Sequence, residues 1–464
     1  AATGEQLDNA TLLTFALNDL NLSVGFAGFG VQITGGTVGI AALSAPPAAL
    51  GARDTRSWLA VTASGLNVSL ALPGITASVL NGALKINKAS GLKDADLLPG
   101  GETFATPLNW ASAAGAASTV DLNADAGFVT AGLVDPGSVL TTPVAMPVVL
   151  RGELLVVSGR LTDLDIFGLV TGSADFAVSR QLVDVDLDGD NNAATGEQLD
   201  NATLLTFALS GLQLAVGLEG FGIQINGGTV GLAALRAPAA TLPARDTRSW
   251  LAVTATGLAL TVALPGFTAS VLDVVLQINK ASGFTDTDAA AGGEVFAPAL
   301  SWASAAGAAS TVDLNADAGF VTASLVNPGA VLPTPISIPI VLRGELLLFA
   351  GELTNLDIFG FLTGAVAFEV KRELVDADVD LTPGFVAPAA TSTTGDLNDG
   401  VLLTIGLSLD EAAPGDPETR FLNVGTAGFG VSIKDGAVRV AALAPKLATD
   451  TRRWLAIQAS GLSA

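Results

Sequence analysis

Apolar residues recur at every second position along much of this chain. Leu13, Phe15 and Leu17 alternate with Thr14 and Ala16, and Leu20, Leu22 and Val24 alternate with Asn21 and Ser23. Period two is the signature of a half-buried β-strand. The apolar parity switches from odd to even across Asn18-Asp19, and again across Gly35-Gly36, Ser64-Gly65 and Asn81-Gly82. A two-residue hairpin loop produces such a switch, and Gly-Gly and Asn-Gly supply the positive φ angles it needs. Each dipeptide is therefore predicted to be a tight turn, as is Asp435-Gly436, with Pro73-Gly74 and Pro265-Gly266 turning between hairpins. One position dissents: Asp273-Val274 stands where the equivalent hairpin has Asn81-Gly82, and Val resists positive φ. A β-solenoid corner would give the same parity switch. The predicted fold is all-β, an elongated array of antiparallel hairpin or meander units, sandwich-like, with a β-solenoid as the alternative. The best helical stretch, Asn109 to Ala117, is short and weakened by Gly and Ser.

The pattern is itself repeated. AATGEQLDNATLLTFAL at Ala1 recurs at Ala193, an offset of 192 residues. DTRSWLAV at Asp54 returns at Asp246, and the long segment starting at Trp110 returns at Trp302. A third, partial copy begins near Gly395 and reaches DTRRWLAIQASGL at Asp450. The expected units are residues 1–192, 193–390 and 391–464. Long, faithful copies point to a role performed by length and copy number rather than by one active site. The first copy starts in phase with the second, so the chain reads as a window onto a longer polypeptide.

Composition narrows the classes. Half of the residues are hydrophobic but only 5% are aromatic, and 44 acidic residues against 21 basic ones give a net charge of −23. Such a balance argues against nucleic acid and anionic membrane surfaces as partners. With no Cys, disulfides and thiolate chemistry are excluded; with no His, the commonest general base and transition-metal ligand are missing. Ser and Thr have no His partner and no phosphate-binding or HExxH motif occurs, so the chain is not expected to be an enzyme. No membrane-spanning segment is expected either. The nearest apolar run, Pro143 to Val157, is interrupted by Pro147, Arg151 and Glu153, against the ~20 residues a spanning helix needs. Strands that are apolar or small on both faces and poor in edge charges call for burial by a second sheet or by neighbouring units.

Acidic residues gather where one copy meets the next. Asp184, Asp186 and Asp188, followed by Gly189, Asp190 and Asn192, carry the alternating spacing of an EF-hand-like calcium loop. Thr195 occupies the twelfth position, so a true EF-hand is not expected, although Glu197 lies close. The next junction keeps Asp376, Asp378 and Asp380 but loses the Gly. A second acidic element, Asp121, Asn123 and Asp125, repeats at Asp313, Asn315 and Asp317. Its spacing also resembles a calcium loop, with an Asx-stabilised turn as the alternative. The Asp-Thr-Arg-(Ser/Arg)-Trp element at Asp54, Asp246 and Asp450 is expected to be an Asp–Arg pair fixing the start of a strand whose Trp fills the core, with a sugar-stacking Trp as the functional alternative. Arg151-Gly152-Glu153 and Arg343-Gly344-Glu345 read as turns with a local charge pair. Lys88 beside Asn87, and Lys280 beside Asn279, are candidates for a Lys–Asn crosslink.

With the repeat, the junction loop and the missing Cys, the chain resembles the tandem-repeat region of very large secreted bacterial surface proteins, among them adhesin-like proteins with calcium loops between β domains. The resemblance implies a structural role outside the cell or at the bacterial surface, with Ca2+ stiffening the joints. The expected function is self-assembly of copies into a filament, sheath or surface layer. The alternatives are a non-polymerising adhesin stalk and, more remotely, a protein that binds or acts on surface glycans.

Overall fold

The computed structural model describes residues 7–26, 29–98, 100–112, 114–115, 117–122, 132–187, 198–218, 221–240, 244–288, 292–304, 307, 310–314, 324–379, 385–386, 395–410, 420–426, 429–447 and 449–464. The alternating segments become strands longer than the parity switches suggested. In the first copy they are β1 (Thr11–Phe26), β2 (Phe29–Ser44), β3 (Ser57–Leu72), β4 (Ile75–Ser90), β5 (Leu154–Ile166) and β6 (Val170–Asp186). The second copy repeats them as β7 (Gln198–Leu218), β8 (Phe221–Arg236), β9 (Ser249–Leu264), β10 (Phe267–Ser282), β11 (Leu346–Ile358) and β12 (Leu362–Ala377). The third contributes β13 (Leu397–Ser408), β14 (Phe421–Thr426), β15 (Phe429–Ile433), β16 (Asp435–Ala444) and β17 (Trp454–Ser463).

Through the first two copies each strand pairs antiparallel with its neighbour in sequence; in the third, β12 pairs with both β13 and β14, and β13 pairs with β16. The last strand of the first copy continues directly into the second, with Val178 opposite Phe207. With the short strand Val312–Asp313, these segments make one 18-stranded antiparallel sheet. It does not close into a barrel. Pairing is antiparallel throughout, so the architecture is a meander and not a solenoid. Only two single-turn 3-10 helices occur among the described residues, Pro136–Val139 and Pro328–Val331. The Asn109–Ala117 stretch contributes an isolated bridge, Ala111 to Ser118, rather than a helix.

The parity switches are real, but most are not hairpin turns. Asn18 pairs with Thr37 and Leu20 with Gly35 inside one continuous β1–β2 ladder, and Asp19 sits between them with φ 55°. Gly35, Gly36, Gly65, Asn81 and Asp163 likewise have positive φ in the middle of their strands. The register shifts beside Gly65, Asn81 and Asp163 identify bulges. The same φ signature and the same parity inversion that a tight turn requires are used here to insert one residue into a strand. Asp273 explains the dissent in the second copy: it takes the positive φ (49°), and Val274 does not need it. Asn and Asp tolerate this region because their short side chains bond locally. The actual turns are elsewhere. Leu72 pairs with Ile75 around Pro73-Gly74, as expected, and the same holds at Pro265-Gly266. The β5–β6 turn lays the ring of Phe167 onto Gly74, where a Cβ would come within 2.2 Å of it.

The bulges keep one face of the sheet apolar along its full length. Below them Phe15, Ile40, Val61, Ile86 and Leu155 stand in one cross-strand row; above them Leu22, Ile33, Val68, Val79 and Leu161 stand in another. A Cβ at Gly159 would meet both Val79 and the ring of Phe176, so residues on either side of the bulge line share that face. We refer to it as the bare face. The opposite face is polar above the bulges, with ladders such as Ser23–Gln32–Ser69–Ser78. Below them it is apolar and covered. The cover is the excursion between β4 and β5, in which Leu92–Asp94 and Thr103–Phe104 join Arg53–Asp54 in a small three-stranded sheet. Its core joins Ala41, Leu43, Trp58 and Ala60 of the sheet to Trp110, Val134, Val148 and Leu150 of the excursion.

Placing a β-branched residue at the bulge should cost about 1–3 kcal/mol. Asn81→Val is therefore expected to lower the melting temperature, whereas Gly82→Val, which reproduces the second copy, should leave it within a few degrees. Thermal unfolding followed by circular dichroism distinguishes the two.

Candidate functional site at the repeat junction

The last stretch of alternation in β6, Val183-Asp184-Val185-Asp186, is buried on both sides. Val183 and Val185 belong to the first copy but pack in the core of the second, with Leu199, Ala202, Leu204, Trp250, Trp302 and Val312. Their partners across the junction are Ala202 and Leu199. The consequence is visible in equivalent residues. Leu204 is 1% exposed, while Leu12, its counterpart in the first copy, is only partly buried beside the corresponding cluster. Leu7 and Ala10 differ from Leu199 and Ala202 in the same way. A strand from the preceding copy completes the core of the second.

The acidic residues flank this seam. Asp184 stands in register opposite Asp313, because Val312–Asp313 pairs with Val185 and Asp184. Asp184, Asp186 and Asp313 are 2%, 1% and 4% exposed, so the structure brings together the leading residues of two acidic elements that are far apart in sequence. The Asp184 carboxylate fastens the next strand, accepting a 2.8 Å bond from the backbone N–H of Asn201, whose φ of 59° marks a bulge at the start of β7. The amide of Asp186 donates to Thr311 O. At the next junction Asp376 accepts from the N–H of Asp399, the equivalent bulge, but Asp376 and Asp378 are exposed. There Asp396 is the buried acid, accepting from the amides of Val379 and Val386. Asp121, partly buried, lies outside any described strand. Asp188, Asp190, Asn192, Asn123, Asp125, Asn315, Asp317 and Asp380 lie outside the described residues. Among the described residues no group of three or more acids is close enough together to hold a metal ion.

Two further devices fasten each excursion to the sheet. The first is Asn87, 1% exposed at a core-facing position of β4. Its amide donates to Leu108 O (2.8 Å) and Gly152 O (2.6 Å), and its carbonyl accepts from Trp110 Nε1 (2.9 Å). Asn279 repeats all three bonds with Leu300, Gly344 and Trp302. With the amide so used, and with Lys88 on the opposite face of the strand, no Lys–Asn crosslink forms between these neighbours. The signal for Asn87 in the sequence is a polar residue at an inward position between apolar ones.

The second is the Asp-Thr-Arg element, whose Asp–Arg pair forms as expected in all three copies, while its Trp is buried in the first two and only partly buried, as Trp454, in the third. Arg56 binds Asp54 through Nε and Nη2 at 2.9 and 2.7 Å, and its guanidinium lies 5.8 Å from the ring of Trp58. Trp58 is buried and donates to Thr106 O. The arrangement recurs at Asp246–Arg248–Trp250 and Asp450–Arg452–Trp454. The Arg-Gly-Glu tripeptides are turns, with Gly152 at φ 57°. Their charges, however, pair across strands: Glu153 with Arg180 and Glu345 with Arg372, each at 2.5 Å.

Leu204→Ala should cost about 2–5 kcal/mol, as for a fully buried Leu, and Leu12→Ala markedly less, measured by urea unfolding. The Arg56 side chain also holds the Asp54 carboxyl below its usual value of 3.8. A carboxyl depressed by folding contributes stability above the unfolded value and loses it as pH falls through the folded one. The contribution of this pair should therefore be intact near neutrality and be lost progressively as pH falls from about 4 through the depressed folded value. An Asp54→Asn variant should differ from the parent near pH 7 and converge with it in acid.

No protein-family model matches the chain, and no curated protein or solved structure is detectably similar to it.

Proposed function

We propose that this chain is a structural repeat protein of the bacterial cell surface or exterior, whose copies self-assemble into a filament, sheath or surface layer. The observation that carries the reading is the uninterrupted passage of the sheet from one copy to the next, with Val183 and Val185 completing the neighbouring core. A chain built this way transmits load through a ladder of backbone hydrogen bonds rather than through a flexible linker. The nearest-neighbour coupling resembles that of other repeat arrays, in which stability is shared between units. The glycan reading draws no support from Trp110 and Trp302, which are fully buried, or from Trp58 and Trp250, which are nearly so; only Trp454 is partly exposed. The proposal does not include catalysis.

Calcium is the second part of the proposal. Asp184 and Asp186 stand buried at the seam, at the head of the acidic loop that runs on through Asp188, Asp190 and Asn192, and a cation held by that loop would brace the joint. A ligand that binds only the folded state raises stability by mass action, about 2.7 kcal/mol at a hundredfold excess over its Kd. Chelation should thus lower the melting temperature of the parent, and Asp186→Ala should abolish that response. Equal melting of the parent with calcium and with chelator removes calcium from the account. For assembly itself, electron microscopy and sedimentation of the whole chain are decisive: fibres, sheets or large particles are expected, and isolated monomers at high concentration end the proposal.

A further inference from the structure

The largest unexplained feature is the bare face. Its side chains are apolar from the strand tips to near the base, yet Phe15, Leu22, Val24, Leu205 and Leu455 remain 40–67% exposed. Sixteen-residue strands such as β1 to β4 are about 50 Å long, and the width of two copies of six strands is about 55 Å. The face therefore offers about 2,500 Å² on each chain, against the ~800 Å² per partner of a standard stable interface. Soluble proteins rarely leave apolar patches above a few hundred Å² uncovered.

The same observations select the occupant. Among the described residues the charged groups on this face are confined to its base, where Arg180 and Arg372 are paired with Glu153 and Glu345 and Lys88, Lys280 and Arg236 are exposed at the rim. Above that rim no described residue on the face requires a polar partner, unlike the covered face with its Asn87 and Asn279 hooks. The complement must be broad, flat and apolar. Lipid fits poorly, because strands of ~50 Å exceed the ~30 Å hydrocarbon core and the sheet is open, leaving edge backbone groups without partners there. A second bare face fits in every respect: equal in size, equally apolar and carrying the same repeat.

We propose that the bare face is buried against the bare face of a second copy of this chain, giving a two-layer sandwich with the excursions on its outer surfaces. Sheets stacked in this way lie about 10 Å apart with strands within ~30° of alignment. This rests on the self-assembly reading above and names the surface that performs it.

The test uses the 464-residue chain with Ile86→Lys and Ile278→Lys, equivalent central positions of the face, and a control with Gln32→Lys and Gln224→Lys on the polar face. Sedimentation and small-angle scattering should show the parent and the control as dimers or larger. The Ile variant should be a folded monomer by circular dichroism and Trp fluorescence, with a Kd raised at least a hundredfold. If lysine prevents folding, Ile86→Thr and Ile278→Thr suit strands and should still raise the Kd at least tenfold. Assembly of the Ile variants at parental strength overturns the assigned surface but leaves self-assembly standing. A monomeric parent overturns both. Flotation of the parent with phosphatidylcholine or phosphatidylglycerol vesicles, lost in the Ile variants and without protein dimers, assigns the face to lipid and overturns the second copy as occupant.

Discussion

A β-strand sends successive side chains to opposite faces, and most long strands here must nevertheless keep one face apolar through a mid-strand irregularity. The bulge line solves that conflict. A positive-φ residue at Asp19, Asn81 or Asp163 shifts the parity in mid-strand, with a register shift at Asn81 and Asp163 and with Gly36 opposite Asp19, so Leu17 and Leu22 face the same way despite being five apart. Were the bulges absent, everything above them would invert: the Ser, Thr, Asn and Gln ladders would join the apolar face, and Ile33, Val68 and Val79 would join the polar one. The excursion needs an apolar floor on one side and the bare face needs apolar continuity on the other. Both depend on these mid-strand residues at positive φ.

The second constraint is that a core is shared between neighbouring copies. With no strand described before them, Leu7, Ala10 and Leu12 are only partly buried. In the second copy Val183 and Val185 are supplied by β6. Polar groups at the same seam are fully employed: Asp184 holds the β7 bulge and Asn279 holds the excursion. Leaving any of these buried groups without its partner would cost about 1–3 kcal/mol, so the seam is specified by hydrogen bonding as well as by packing. A substitution in β6 therefore acts on two copies.

Period-two alternation, the 192-residue repeat, the Trp residues as core and the Asp–Arg pairs are legible in the sequence because each is local. Asn18-Asp19 and Gly35-Gly36 pass for turns there because φ and parity are the same for a bulge and a tight turn; only the pairing of Leu20 with Gly35 separates them. Asp273-Val274 holds the distinguishing clue, since a type I′ turn needs positive φ at two residues and Val resists it at the second. The meeting of Asp184 with Asp313, the role of Asp396 and the clamp at Asn87 are hidden for a different reason. Each depends on which strand lies beside which, and alternation carries no information about neighbours.

Faithful copying of the unit has a physical rationale in the same seam. β6 must match both its own copy and the next, so Val183, Val185 and Asp184 have to fit Leu199, Ala202 and Asn201 as closely as those residues fit their own sheet. Drift in one copy would spoil a joint with its neighbour, whereas change in the exposed tips would not. The third copy follows this division. Its β13 keeps Leu397 buried at the seam, while an inserted segment separates β13 from β14, in the upper part of the strand and away from the joint. The array tolerates variation where strands are free and repeats itself where one copy finishes the core of the next.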